Sequence, residues 1–471
     1  MKRFILLNLT VLFILPICVY PQVPELLWTR TYGSPNDFDE CWKAVEAPDG
    51  GLIITGASII VNPNRNMYIV RTDFEGDQLW EVSYSDYSSG QALCRTSDNG
   101  FIVAGYIDQN GEYHFIVKYD SSGNEIWSKV LNCWGGGTLR SIQTVDENGY
   151  ILAGYEIGPP GLENILLVRT DSEGDTLWSR IYGGAMAERA WSAKSTSDGG
   201  FITVGWTESF GNGASDFYII KTDSDGDSIW TRTYGGQWNE EARDIMETPD
   251  EGFVFCGKRT ESNDEPDYYL MKINAQGDSV WAYVYHGFNA VHRVIHSFIQ
   301  TQDGGYALLG YNDLGFIDIF KTDSEGDSLW SISFMNHSVI RNKARTIIQT
   351  DDGGYYLCGF YQDIWLARLS PEMTGLEEEI ITLPDRITLR QNYPNPFNAG
   401  TTISFTLSES QHIILSVYDL LGRKVEVLLD GLIKAGMRQV HFDASAYPSG
   451  LYFYRLTAGD YSDTKIMVLI K

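Results

Sequence analysis

Seven tryptophans recur at nearly constant intervals: Trp28, Trp80, Trp127, Trp178, Trp230, Trp281 and Trp330, with gaps of 52, 47, 51, 52, 51 and 49 residues. A repeat of this size is one supersecondary unit that buries its apolar face only by stacking on its neighbours, which points to a propeller or a solenoid. A second marker is a turn ahead of an aliphatic or aromatic run, as in Asp49-Gly50-Gly51, Asp98-Asn99-Gly100, Asp198-Gly199-Gly200, Asp250-Glu251-Gly252, Asp303-Gly304-Gly305 and Asp352-Gly353-Gly354. The third copy is looser, at Glu147-Asn148-Gly149. A third marker precedes most of the tryptophans. Lys221-Thr222-Asp223-Ser224-Asp225-Gly226-Asp227 is its cleanest form, and residues 321–327 nearly copy it.

Each unit reads as four short strands, A to D, joined by glycine-containing hairpin turns, which favours a propeller over a solenoid. In the unit that starts near Glu241, the strands are expected at about 241–247, 252–258, 267–273 and 279–285. The first A strand is expected to begin near Cys41. The last unit offers A (343–349), B (354–360) and C (363–369), but no D strand with its tryptophan follows. That strand stands at the other end of the chain, in residues 26–33, which closely resemble 229–235. The expectation is an all-β chain with a seven-bladed β-propeller over 22–370, whose N-terminal strand closes the last blade and leaves few sheet edges exposed.

The Asp-Gly-Asp-x-x-Trp edge resembles the tryptophan-docking repeat of quinoprotein-like propellers, in which the indole wedges between neighbouring blades. The likeness covers repeat spacing only. The Ala-x-Asp and Thr-Gly elements are not regularly present, so no quinone cofactor is carried over, and none of any kind is expected. The sialidase Asp-box is also similar, but there the glycine stands three residues before the tryptophan, whereas Gly226 stands four before Trp230.

Composition agrees with a globular β protein and restricts partners. The chain has 471 residues, a soft prior for about two to four domains. Thirteen Trp, 28 Tyr, 21 Phe and 47 Gly are the usual content of strands and tight turns. A net charge of −27 argues against nucleic acid, whose binding needs cationic surface. Lys2 and Arg3 followed by an apolar run read as a signal peptide over 1–21, and no later segment is apolar and long enough to span a bilayer. Of six Cys, five remain once Cys18 is removed with the signal. An odd count argues against a complete disulfide framework. Cys256 and Cys358 fill a repeat slot that elsewhere holds Thr55, Ala104, Ala153, Val204 and Leu309, so they read as small buried residues.

Near residue 371 the pattern changes. Residues 371–383 carry four Glu and no repeat marker, an acidic linker. Residues 384–471 read as a small Ig-like β-sandwich of short alternating strands. The segment holds Tyr393-Pro394-Asn395-Pro396, then Tyr418-Asp419 with Gly422-Arg423, then Gly450 and Tyr452, and finally Lys465 and Lys471. These elements, in this order, closely resemble the type A C-terminal sorting domain of the type IX secretion system. The resemblance implies export through the periplasm and outer membrane, recognition by the translocon, and removal of the domain by sortase-like machinery. An Ig-like module of flagellar hook-capping proteins shares the motif set and is the other reading. Nine Lys/Arg against eight Asp/Glu in 384–471, and +2 in the signal, leave −30 on the propeller and linker.

No nucleophile elbow, metalloprotease helix, P-loop or dinucleotide fingerprint occurs, and no catalytic residue is assigned. The Asp-rich turn at 223–227 has the carboxylate density of a calcium loop. Its counterparts Asn274-Ala275-Gln276-Gly277-Asp278 and Asp120-Ser121-Ser122-Gly123-Asn124 lack most of it, so hairpin geometry is the shared requirement. His286, His292, His296 and His337 cluster without a clear acid or thiol ligand, so no metal site is assigned.

Aligning the repeats on the A–B turn exposes one further set. Seven residues before each turn stand Trp42, Gln91, Arg140, Trp191, Arg243, His296 and Arg345. Strand A is innermost in a propeller, so these residues are expected to ring the mouth of the central channel. Guanidinium groups offer paired donors to carboxylate or sulfate, and indoles stack on sugar rings. The ring is a candidate site for an anionic glycan or a peptide carboxylate. Alternatively, each Arg pairs with an acid such as Glu188, Glu240 or Glu241, and each Trp packs between blades. The leading functional reading is an exported binding or scaffold module. The others are a polysaccharide hydrolase or lyase, with Asp39, Glu40, Glu188 or Glu240 as acids, and a structural adhesin.

Overall fold

The computed structural model describes residues 23–372 and 387–470, less 34–37, 60–64, 85–86, 109–111, 132–135, 146–148, 159–160, 261–265, 286–292, 335–342, 390–391, 393–396, 399, 408–410, 434–435 and 460. The signal region with Cys18, most of the acidic linker, Cys133, His286, His292, His337, residues 393–396 and Lys471 lie outside the described residues. All described secondary structure is strand, so no described helix is long and apolar enough to cross a membrane. Two compact units divide at Thr374/Gly375.

The first unit is built from seven four-stranded antiparallel sheets in A-B-C-D order. The unit expected near Glu241 has strands Glu240–Glu247, Phe253–Thr260, Pro266–Ile273 and Ser279–Tyr285. The first A strand starts at Phe38, three residues before the expected point, and runs to Glu46. Seven inter-blade cores separate the sheets, each formed by B and C strand residues of one blade and A to C residues of the next. Each A strand packs against the next, and the seventh packs against the first, so the sheets form a closed ring about the A strands. The seventh blade takes its fourth strand from the N-terminus. Leu26–Tyr32 pairs antiparallel with Ile364–Leu369, with Thr29 opposite Ala367 and Tyr32 opposite Ile364.

The tryptophans dock the blades as the repeat implies. The indole of Trp178 reaches the C–D turn of the following blade, where Nε1 donates to the Ser224 carbonyl at 3.2 Å. Trp230 donates likewise to Ala275. The last residue of the same D strand adds a hydroxyl bond to the turn glycine, as from Tyr32 to Gly76 and from Tyr285 to Gly326, both 2.6 Å. A Cβ on Gly226 would lie 2.8 Å from Trp178, which is why this turn position is glycine. The closing blade has no C–D turn, and Glu372 takes its place: its carboxylate accepts from Trp330 Nε1 at 3.2 Å and from the Tyr355 hydroxyl.

The repeated Asp and Lys markers meet each other. Lys221 Nζ lies 2.8 Å from Asp198, and Lys118, Lys272, Lys321 and Arg368 bind Asp98, Asp250, Asp303 and Asp352 in the same way. In the C–D turns a side-chain oxygen caps two backbone N–H groups. Asp223 Oδ1 accepts from Asp225 and Asp227, and Asn274 Oδ1 does the same for Gln276 and Asp278. An amide oxygen therefore serves as well as a carboxylate, which explains why the acids are dispensable.

The second unit is a sandwich. Thr388–Leu389, Gly400–Leu407 and Gly436–Asp443 form one sheet; Lys424–Ile433, Gln411–Asp419, Gly450–Ala458 and Tyr461–Leu469 form the other, in that order. Alternate residues Ile403, Phe405 and Leu407 meet Ile413, Leu415, Val417, Tyr454 and Leu456 in one core.

Candidate functional site

The seven aligned residues, each near the middle of its A strand, all line one cavity of about 80 Å3. The cause is local. In every A strand the register slips by one residue, between Cys41 and Lys43, Gly90 and Ala92, Leu139 and Ser141, Ala190 and Ser192, Ala242 and Asp244, Ile295 and Ser297, and Ala344 and Thr346. The residue skipped each time is Trp42, Gln91, Arg140, Trp191, Arg243, His296 or Arg345. Each is the extra residue of a β-bulge, which breaks the in–out alternation and re-aims one side chain. Spacing locates these positions, but nothing in their residue types announces a bulge.

The ring side chains contact one another, and Trp42 also packs against Phe360 of the neighbouring seventh blade. Arg345 lies 4.2 Å from the Trp42 ring centroid, and Arg140 lies 5.5 Å from it. Arg140 is also 4.4 Å from Trp191, and Arg243 is 3.8 Å from Trp191. The result is an alternating stack, Arg345–Trp42–Arg140–Trp191–Arg243, across the cavity. Cation–π contact of this kind is worth roughly 0.5–2 kcal/mol per pair, which offsets only part of the cost of burying three guanidinium groups together. Arg140 also donates to Gln91 at 3.3 Å, and Arg345 places an N–H 2.9 Å from His296 Nε2. The His296 ring stacks on Tyr311 at 5.5 Å.

Positive charge exceeds negative charge here. Of the three acids offered as Arg partners, only Glu241 pairs with the ring, bonding Arg243 at 2.6 Å and Lys258 at 2.7 Å. Burial, with Arg243 and Arg345 close by, pulls the Arg140 pKa down to about 10. Burial and the same cations hold His296 well below its ordinary value, so it is neutral. Trp191 Nε1, Arg243 Nε and Arg345 Nε are buried donors without an acceptor among the described residues. Such donors each forgo about 1–3 kcal/mol until an acceptor arrives.

Beneath the ring, Lys43, Lys194 and Asp244 partition the channel. They also line a second cavity of about 410 Å3 on the far side, walled by aliphatic residues such as Ile245, Ile299 and Ile347. Asp244 accepts from Ser192 at 2.6 Å and faces Lys194 at 3.6 Å. Burial lowers the Lys43 pKa, with Asp244 opposing and Lys194 assisting. Nothing in the sequence singles out this layer, because the strands that carry it, Phe38–Glu46, Glu188–Ser195 and Glu240–Glu247, each hold several charged residues.

The acids offered for catalysis have other partners. Glu188 accepts from Thr207, Gly184 and Ser209, and Glu240 from Gly236. Asp39 is 1% exposed. Glu40 binds Arg65 and the Trp42 indole. Burial beside Asp216 raises Glu240 to about 6, yet its side chain is closed off from the channel at 0% exposure. Among the described residues no group of three or more His, Cys, Asp or Glu could hold a metal ion.

The described sorting-motif residues build the sandwich. Asp419 Oδ1 caps Leu421 and Arg423, Arg423 returns a 2.7 Å ion pair, and Gly422 supplies φ +76. Arg455 covers Tyr418 at 5.3 Å, and the Tyr452 hydroxyl donates to Pro448. Gly450 opens the strand paired with Tyr461–Leu469, and Lys465 lies 3.7 Å from Asp463.

Comparison with known proteins adds identity at one end. No curated protein matches the chain. Solved structures similar to it include a protein of unknown function from Bacteroides caccae (10% identity, 57% of this chain and 90% of that one, TM-score 0.39). The WD40 domain of Neurospora crassa Pan2 (12%, 73% and 95%, 0.48) and YCF48 from Cyanidioschyzon merolae (8%, 72% and 98%, 0.43) are others. The propeller assignment itself rests on the seven sheets and their closure. Residues 391–471 match the secretion system C-terminal sorting domain family. The chain thus ends in a type IX sorting domain, which hands it to that secretion machinery for export to the cell surface or the extracellular space.

Proposed function

We propose that the exported propeller is a binding module whose ring cavity takes the carboxylate or sulfate of a glycan or peptide. One observation carries this reading: seven bulges, one per blade, aim three Arg and two Trp at a single small cavity, leaving three buried donors without acceptors among the described residues. Holding three cations together costs stability, and an anionic group would supply the missing acceptors and charge. A cavity of about 80 Å3 suits the charged group alone, with the rest of the ligand outside. The test is a screen of the purified protein against sulfated, uronate-containing and neutral glycans and C-terminal peptides, with a reducing-end assay on the same samples. Binding of anionic members without new reducing ends supports a binding module. New reducing ends would favour the hydrolase reading, and no binding at all the structural adhesin.

A further inference from the structure

The seam of the ring carries a pair of cysteines. Cys41, on the A strand of the first blade, and Cys358, on the B strand of the seventh, place their sulfurs 3.0 Å apart. This is about 1 Å outside disulfide bonding distance. Both residues are fully enclosed, at 0% and 1% exposure. They are 317 residues apart in sequence.

Every blade junction has the equivalent pair, one residue from strand B and one from strand A of the next blade. The six other pairs are Thr55 with Gly90, Ala104 with Leu139, Ala153 with Ala190, Val204 with Ala242, Cys256 with Ile295, and Leu309 with Ala344. Only the junction of blades seven and one pairs cysteine with cysteine. It is also the junction next to the one break in the ring. There the closing strand Leu26–Tyr32 joins Ile364–Leu369 through non-covalent contacts, a hydrogen-bonded ladder with Trp28 and Tyr32 packed beside it.

We propose that Cys41 and Cys358 form a disulfide in the exported protein, locking the first blade to the last. The oxidant is the disulfide of an envelope thiol oxidoreductase, or an equivalent small disulfide. One cysteine thiolate attacks a carrier sulfur, and the second displaces the carrier from the mixed disulfide. The carrier leaves as a dithiol, with the two electrons and two protons of the cysteine pair. Export places the chain in an oxidising compartment. Because both sulfurs are enclosed once the blades pack, exchange precedes final closure. One bridge also fits the odd cysteine count, which argued only against a complete framework.

The test uses full-length protein collected from an exporting bacterial host and alkylated with iodoacetamide under denaturing conditions. Peptide mass mapping without reductant should give one cross-linked product joining the Cys41 and Cys358 peptides, lighter by two hydrogens than their sum. Alkylation of both residues, or linkage of either to another cysteine, would overturn the proposal. A second measurement compares guanidinium unfolding with and without dithiothreitol. The wild-type midpoint should fall on reduction, while that of Cys41→Ala/Cys358→Leu, which copies the Ala344/Leu309 pair, should not move. An unchanged wild-type midpoint would also overturn it.

Discussion

The guanidinium of Arg243 lies 3.8 Å from the centre of the Trp191 indole, on side chains contributed by adjacent blades. Arg140 approaches the same indole at 4.4 Å from the other neighbouring blade. One bulged residue from each of three consecutive blades thus forms a cation–aromatic–cation unit. The arrangement has consequences for both binding and stability.

Arg140 contacts two indoles and one amide and faces two other guanidinium groups. If the ring is an anion site, its charges are held at a cost. Arg140→Met keeps much of the stem volume and removes the charge. It should raise unfolding stability by about 1–2 kcal/mol while abolishing binding of anionic ligands. Denaturant unfolding and calorimetry on one preparation check both. A ring that merely glues blades together would show the opposite sign of stability change.

The blade-docking contact separates backbone strain from packing. Gly199 (φ +83) and Gly226 (φ +80) both occupy the left-handed region, but a Cβ meets nothing at Gly199 and meets Trp178 and Arg180 at 2.8 Å at Gly226. Gly199→Ala should cost about 1 kcal/mol. Gly226→Ala should cost a further ~1–3 kcal/mol by displacing the indole. Thermal melts of the two variants side by side measure the difference.

The repeats were legible because turn glycines and docking tryptophans are required in every blade, so physics writes them at a fixed spacing. The closing strand was legible for the same reason, since residues 26–33 duplicate a D strand. The ring positions were found from spacing, but the stack joining them was not. Arg140 meets Trp42 and Trp191 only because two bulges 149 residues apart in sequence turn toward one axis. Cys358 reads as an ordinary small core residue because its juxtaposition with Cys41 exists only after the ring closes. Glu372 looked like linker, and its bond to Trp330 was invisible without the missing turn it replaces.

Closure by the N-terminal strand predicts a severe deletion phenotype. Removing residues 24–34 exposes the edge of Ile364–Leu369 and deprives Gly76 of the Trp28 and Tyr32 contacts. The truncated protein should lose its single cooperative unfolding transition. Calorimetry showing an unchanged melt would contradict ring closure.

The turn ion pairs set an acid limit. Lys118, Lys221 and Lys272, together with threonine and backbone donors, hold Asp98, Asp198 and Asp250 at about 2, against 3.8 for an ordinary Asp, despite opposing desolvation. A depressed folded-state value means these pairs contribute fully above about pH 4. Their contribution is lost as pH falls through about 2. Denaturant midpoints should therefore decline between about pH 4 and 2. Asp198→Asn should flatten that decline while lowering stability at neutral pH, because Lys221 is left enclosed without its counter-charge.

The most direct measurement is calorimetric titration of the purified propeller with the best anionic ligand from the screen, beside Arg243→Ala/Trp191→Ala. The wild type should bind, more weakly as salt rises, and the double variant should lose at least tenfold in affinity. No binding by the wild type across the screen, or equal affinity in the variant, would contradict the assignment of the ring cavity as an anion-binding site.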